Sequence, residues 1–182
     1  LIKRIINKPL PNLTKIMIIM GFFLTLVQVN RVGGSVVANA LSNIHKLTPA
    51  EIGVVIGVMF LSSALVQIPF GIMLDRFGAR RMIVGWSSVA IIGMVIFGLA
   101  ETSSGLTVGR TLIGIGHGAS ITGVYLLALA WASPERVASV AATTIAVAGA
   151  LGGMIGTAPL AAAIEYLGFT KTFLYLAVFS LV

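Results

Sequence analysis

The sequence predicts an all-α membrane protein, a bundle of six transmembrane helices. Three observations lead there. The chain has 182 residues, of which 58% are hydrophobic and 9% charged. Its mean hydropathy is +1.07, and its apolar share is well above that of a soluble domain. The apolar residues fall in long runs, and 182 residues hold about six spans of roughly 20 residues each. The few charges punctuate these runs. The densest cluster, within Gly71-Ile72-Met73-Leu74-Asp75-Arg76-Phe77-Gly78-Ala79-Arg80-Arg81, sits in a short hinge between two of them. Backbone groups in lipid must be satisfied internally, so only helices or a closed barrel can cross. The runs are too long for barrel strands and their polar residues do not alternate.

In order, residues 1–15 form a basic N-terminal segment, and residues 16–182 form the bundle. The first span is expected over Ile16 to Leu41, the second over Ile52 to Leu74 and the third over Met82 to Ala100. The fourth covers Leu106 to Trp131, the fifth Val137 to Ile164, and the sixth starts near Thr172. Loop chemistry marks the breaks: Leu47-Thr48-Pro49 with Glu51, Glu101 to Gly105, Ser133-Pro134-Glu135-Arg136, and Gly168 to Lys171. Thr48 and Ser133 are candidate caps for the helices that follow. The chain begins at Leu1 and stops at Val182 inside an apolar run, which reads as a piece of a longer protein.

Charge placement sets the expected orientation. With the N-terminus in the cytoplasm, the inner side collects Lys3, Arg4, Lys8, Lys15, Arg76, Arg80, Arg81 and Arg136. The outer side has only Lys46 and Lys171, with Glu51, Glu101 and Glu165. This obeys the positive-inside rule, and the reverse topology violates it. The net charge of +7 is therefore a topology signal, not a nucleic-acid surface. A basic start followed by an apolar run, with Ala38-Asn39-Ala40, has the outline of a signal peptide. The long core, the interruption at Arg31 and the spans that follow argue against cleavage. There is no cysteine, so disulfides, thiol nucleophiles and thiolate metal sites are excluded. The residues suggest no metal site or cofactor.

Polar residues inside the spans are the candidate functional groups. Arg31 lies past the middle of the first span, where a charge costs at least about 2.5–3.5 kcal/mol. Gln28, Arg31, Ser35, Asn39 and Ser42 share one helix face. Such a stripe would line a water-filled path; the competing reading has Arg31 reaching for the outer interface or for helix carbonyls. In the fourth span, Arg110, Gly114 and His117 share a face. His117 is open to two readings, contact with an anion or proton relay on one side and a packing hydrogen bond on the other. Gln67 is the strongest polar residue of the second span, and such a residue more often bonds a neighbouring helix than a substrate. No Asp or Glu lies deep within a span. Two arginines without carboxylates leave a positive cavity that an anionic ligand, or acids from elsewhere in the protein, would complete. Gly149, Gly152, Gly153, Gly156 and Pro159 make the fifth span small-faced. Residues four apart there allow close helix approach, and Pro159 should kink or loosen the outer part.

Together these features resemble the N-terminal six-helix half of a major facilitator superfamily transporter. Gly71, Asp75, Arg76, Gly78, Arg80 and Arg81 are similar to that family's motif between helices two and three, with Met73 and Ala79 as departures. Arg110, Gly114, Gly116 and Gly118 resemble its helix-four motif. The run from Gly149 to Pro159 resembles its glycine-rich fifth helix, without the contiguous Gly-Pro of the antiporter form. The stretch from Arg31 through Gln67-Ile68-Pro69 to Trp131 is similar in flavour to bacterial carriers of organic anions and metabolites.

The resemblance implies an inverted 3+3 repeat, a second six-helix half as partner, and a solute bound between the halves. It implies secondary active transport by alternating access in a bacterial inner membrane. The solute would be a small anion, with a possible coupling ion. Arg31, Gln28, Ser35, Gln67, Arg110 and His117 are the expected binding residues. Gly71, Asp75, Arg76, Gly78, Arg80, Arg81 and Glu135 are expected to form a conformational latch, with a topology signal alone as the competing reading, and Gly114, Gly118, Gly149, Gly152, Gly153, Gly156 and Pro159 are expected to pack helices. The alternative is a non-transporting membrane module, a sensor or assembly partner on the same fold. No nucleophile–base pair, metal cluster or phosphate loop supports an enzyme.

Overall fold

A computed structural model describes residues 11–77, 79–118 and 120–181. Its helices are α1 (Pro11–Val32), α2 (Gly34–Asn43), α3 (Pro49–Phe77), α4 (Ala79–Leu99) and α5 (Ser103–His117). There follow α6 (Ser120–Trp131), a 3-10 turn over Pro134–Arg136, α7 (Val137–Ile155), α8 (Ala158–Leu167) and α9 (Phe169–Phe179). No strand occurs among the described residues. Five helical stretches are long and apolar enough to cross a membrane, and a bent pair, α8 with α9, supplies up to one more. The protein is an all-α membrane protein.

Three of the spans expected to be continuous are broken. The first divides at Gly33 into α1 and α2, and the fourth divides near Gly118 into α5 and α6. The fifth divides at Gly156-Thr157 into α7 and α8. Small residues explain each break. Gly33 passes so close to α8 that a Cβ there would come within 2.5 Å of Leu160 Cδ2. Gly118 tightens its turn with an N–H donating to the Ile115 carbonyl at 3.3 Å. At the third break the helix ends at Gly156, and Pro159 sits in the first turn of α8. A proline is well tolerated in a first helical turn, where its missing N–H had no partner to lose. Pro159 thus starts a helix instead of kinking one. Pro69, by contrast, lies inside an uninterrupted α3.

The sixth span begins at Phe169, three residues before Thr172. Gly168, with φ of +86°, reverses the chain by 120° between α8 and α9. Only glycine adopts that backbone without strain. Phe169 and Phe173 then meet Phe97 of α4 with ring centroids 5.3 and 4.7 Å away, which fixes α9 against α4.

Packing follows a repeat of three. α1 lies along α7, and α5 lies along α3. Helix one against helix five thus matches helix four against helix two. α4 also packs against α5 and against α9. The helices run alternately up and down, so Lys15, Arg76, Arg81 and Arg136 gather at one end. The other end has Lys46, Glu51, Glu101 and Lys171. There, Thr48 and Glu51 form a capping box at the start of α3. Thr48 N–H and Oγ1–H donate to Glu51 Oε2 at 2.9 and 2.7 Å, and Glu51 N–H donates to Thr48 Oγ1 at 3.4 Å. Ser133 makes no such capping bond. Thr102 caps α5 instead, accepting from the Gly105 N–H at 3.2 Å.

Glycine contacts set the helix spacing. Along α1, a Cβ at Gly152 would collide with the Gln28 Cβ and lie 2.7 Å from the Thr25 carbonyl oxygen. Gly156 approaches the Val29 carbonyl and the Gly33 nitrogen, within 3.1 and 3.3 Å of its Cβ position. Gly149 leaves ordinary room beside Gln28, and Gly153 faces open space. On α5, a Cβ at Gly114 would collide with Met59 and Ser62 of α3, and one at Gly118, just past its end, would lie 2.7 Å from the Ser63 carbonyl oxygen. On another face, a Cβ at Gly116 would collide with Ala90 of α4, and one at Gly109 would lie 2.7 Å from the Phe97 backbone.

Gly152→Leu is expected to overpack the α1–α7 seam and lower stability by about 1–3 kcal/mol. Gly85, with open space around its Cβ position, is the matched control and should accept Leu. Thermal denaturation of both variants in detergent checks the contrast. Equal melting points for the two would show that the seam does not need glycine.

Candidate functional site

α1, α3 and α5 converge on a cluster of polar side chains, and each arrives there by helix geometry. Arg31 sits two residues before the break at Gly33 and is half-buried. Its Nη2 donates to Ser63 Oγ of α3 at 3.0 Å. Ser63 is brought there by the α3–α5 crossing, where Gly118 meets its carbonyl. One hydrogen bond to a neutral hydroxyl leaves most of the guanidinium fork free, since that group carries five donors.

Arg110 lies deeper, only 1% exposed. Its Nη1 donates to the Asn30 carbonyl of α1 at 3.2 Å and lies 3.1 Å from Met59 Sδ of α3. Its guanidinium carbon stands 4.6 Å from the centroid of the Phe97 ring of α4. A carbonyl, a thioether and an aromatic face all offer electron density without formal charge. Arg110 Nε and Nη2 are buried without a partner among the described residues. So is Oδ1 of Asn30, whose amide donates to the Leu26 carbonyl at 3.1 Å.

His117 is also 1% exposed. Its ring stands edge-on to Phe23, with centroids 6.0 Å apart. Among the described residues neither ring nitrogen has a hydrogen-bond partner, so the packing hydrogen bond open to it in the sequence is not formed there. Its carbonyl accepts from Ser120 Oγ at 2.7 Å. Among the described residues, no carboxylate takes part in these contacts.

The remaining expected residues spread around this cluster. Gln28 is half-buried beside Gly149, and Ser35, Asn39 and Ser42 are exposed along α2. The stripe thus continues across the break at Gly33. Gln67 is exposed on α3, one helical turn beyond Ser63. In the charged hinge, Arg76 is exposed with its guanidinium carbon 5.5 Å from the Phe77 centroid, and Arg81 is exposed. Gly78 and the side chains of Asp75 and Arg80 lie outside the described residues. Glu135 is exposed and bonds Ser133 and its own backbone, with Arg136 acting on it as a nearby charge.

Several members of the site were not singled out in the sequence. Asn30 and the Ser62-Ser63 pair carried a usable signal, being adjacent polar residues in the middle of apolar runs. Met59 and Phe97 carried none. Apolar side chains are expected in a span, and only the helix crossings make these two into ligands of a cation. No group of His, Asp or Glu able to hold a metal ion occurs among the described residues.

Comparison with known proteins agrees with this architecture. Residues 16–182 match the Major Facilitator Superfamily. The chain belongs to that family of membrane transport proteins and is an integral membrane protein. It is 43% identical over 67 residues to the inner membrane transport protein YajR of Escherichia coli, covering 37% of this chain and 15% of that one. It is 31% identical over 132 residues to an uncharacterized transporter of Buchnera aphidicola subsp. Schizaphis graminum, covering 71% of this chain and 32% of that one. A second uncharacterized transporter, from Buchnera aphidicola subsp. Acyrthosiphon pisum, is 32% identical over 133 residues, or 72% and 33% of the two chains. The matched segment thus spans a third or less of the length of these relatives.

Arg110→Lys keeps the charge but loses the planar fork. An ammonium cannot lie flat over Phe97 while reaching the Asn30 carbonyl, which would be left buried without that donor. The expected cost is about 1–3 kcal/mol, read as a lower melting temperature in detergent. An unchanged melting temperature would mean that these contacts add nothing to stability.

Proposed function

We propose that this chain is the N-terminal half of a secondary active transporter that moves a small anionic solute, an organic acid or related metabolite, by alternating access. The observation that carries the reading is Arg31. It is a half-buried guanidinium in a span, held by one serine hydroxyl, next to a second arginine and a histidine with no acid in attendance. An intramembrane charge of this kind ordinarily lines a substrate or ion path. A free guanidinium fork matches a carboxylate or phosphate with two parallel hydrogen bonds. Gln28 and Ser35, on the same stripe, would add neutral hydrogen bonds around the anion.

The remaining parts of the reading fit together. A second six-helix half would close the cavity, and relatives about three times the matched length support such a partner. The basic end of the bundle belongs in the cytoplasm by the positive-inside rule. A bacterial inner membrane accords with the printed name of the Escherichia coli relative. The charged stretch at the end of α3 and the start of α4 acts as a latch at that cytoplasmic end. Asp75 would favour the positive N-terminus of a helix in the other half. Exposed ion pairs contribute only about 0–1 kcal/mol each, which lets the two states interconvert.

Two experiments test this. A thermal-shift screen of the full-length protein against organic anions identifies a stabilising solute. Arg31→Lys should then weaken binding and uptake of it roughly tenfold or more, about the loss of one good charge-assisted contact, with expression intact. Normal affinity in Arg31→Gln would overturn the anion reading.

For the latch, Asp75→Asn should shift cysteine accessibility away from the outward-open state while leaving insertion topology unchanged. Accessibility unaltered on both faces would reduce the hinge to a topology signal.

A further inference from the structure

The buried hydroxyls of this bundle follow one rule, and Ser63 breaks it. Thr25, Ser62, Ser120, Thr172 and Ser180 are all buried. Each donates, at 2.7 to 3.1 Å, to a carbonyl three or four residues earlier in the chain. That is the usual way for a hydroxyl in a helix to spend its proton locally. Ser63 is 4% exposed and makes no such bond among the described residues. Its oxygen accepts from Arg31 Nη2 at 3.0 Å, and its proton is unspent. The reason is local. The carbonyl four residues before Ser63 belongs to Met59, and Ser62 Oγ already donates to it at 3.1 Å in addition to the N–H of the helix ladder. A carbonyl oxygen has two lone pairs, so that acceptor is full.

We propose that Ser63 is a direct ligand of the solute, its hydroxyl donating to an oxygen of the anion held by Arg31, and that this anion is a tetrahedral oxyanion, a sulfonate or phosphate group, in preference to a carboxylate. The inference rests on the anion reading above and adds a second donor to it. A guanidinium edge takes two oxygens side by side. One N–H of Arg31 Nη2 is given to Ser63, so an anion on a neighbouring edge of the guanidinium has the Ser63 hydroxyl on its flank. A carboxylate has both oxygens in the fork. A tetrahedral group has a further oxygen, and that one is free to turn toward Ser63. The hydroxyl is shielded from bulk water, where a hydrogen bond is stronger than at an exposed position. Its place is fixed by backbone packing, because a Cβ at Gly118 would lie 2.7 Å from the Ser63 carbonyl oxygen.

The test uses the full-length protein in detergent, with methanesulfonate and acetate as probes. Both are methyl-bearing anions of single charge near neutral pH, and they differ in carrying three oxygens or two. Isothermal calorimetry reads each affinity in the unmodified protein and in Ser63→Ala. Loss of the hydroxyl should weaken methanesulfonate about tenfold, as expected for one hydrogen bond to a charged group, and acetate only about twofold. Ser63→Cys keeps nearly the same size with a weak donor. It should show the same contrast, and it carries the test if Ser63→Ala does not fold.

Equal losses for the two anions would mean that Ser63 only orients Arg31, and would overturn the proposal. Unchanged methanesulfonate binding in both variants overturns it too, as does an unmodified protein that binds acetate but not methanesulfonate. If neither anion binds the unmodified protein, or if binding is unchanged in Arg31→Gln, the anion reading itself is overturned, and this proposal with it.

Discussion

Between helices immersed in lipid there is no hydrophobic force to press them together, so close contact must come from shape and from backbone polarity. Here the contact is made through missing side chains. Gly152, Gly156 and Gly33 bring α7 and α8 onto α1, and Gly114 and Gly118 bring α5 onto α3. Gly116 and Gly109 bring α5 onto α4. α5 therefore carries glycine contacts toward two neighbours and sits at the centre of the bundle. Nearly every feature of the site follows from where these crossings fall.

The clearest case is the neighbourhood of the two arginines. The crossing of α5 on α3 that needs Gly114 and Gly118 also sets Met59 beside Arg110 and Ser63 beside Arg31. The same geometry turns Arg110 toward the Asn30 carbonyl, one residue before Arg31. The positions of the two cations are thus mechanically linked through one stretch of α1 that ends in a helix break. Arg110 is enclosed by neutral electron-rich groups, whereas Arg31 is half-buried and keeps most of its donors. Such a division suits one arginine that holds α1 in place and another that meets a solute.

The breaks at Gly33 and Gly118 fall in helices one and four, which correspond in an inverted repeat of three. Each break comes shortly after a polar member of the cluster, Arg31 in the first helix and His117 in the fourth. Interrupted helices at membrane depth are tolerated where protein or a cavity surrounds them.

The sequence by itself determined the solvent, the class and the family of this protein. Long apolar runs leave helices as the only solution in lipid, and the spacing of Gly71, Asp75, Arg76, Gly78, Arg80 and Arg81 in a hinge is specific enough to resemble one family. It also exposed Arg31, Arg110 and His117, because a charge or an imidazole inside an apolar run stands out against its surroundings. Only the tertiary structure decided which of these meet and through what. The breaks at Gly33, Gly118 and Gly156 were invisible in composition, since a glycine in a span reads equally as packing, hinge or filler. Which glycine faces a neighbour depends on the rotation of each helix, so Gly152 makes a tight contact while Gly153 faces open space. Met59 and Phe97 became partners of a cation through long-range crossings that no local pattern records. Local sequence fixes what a helix can present, but the orientation of each helix against the others fixes what that face touches.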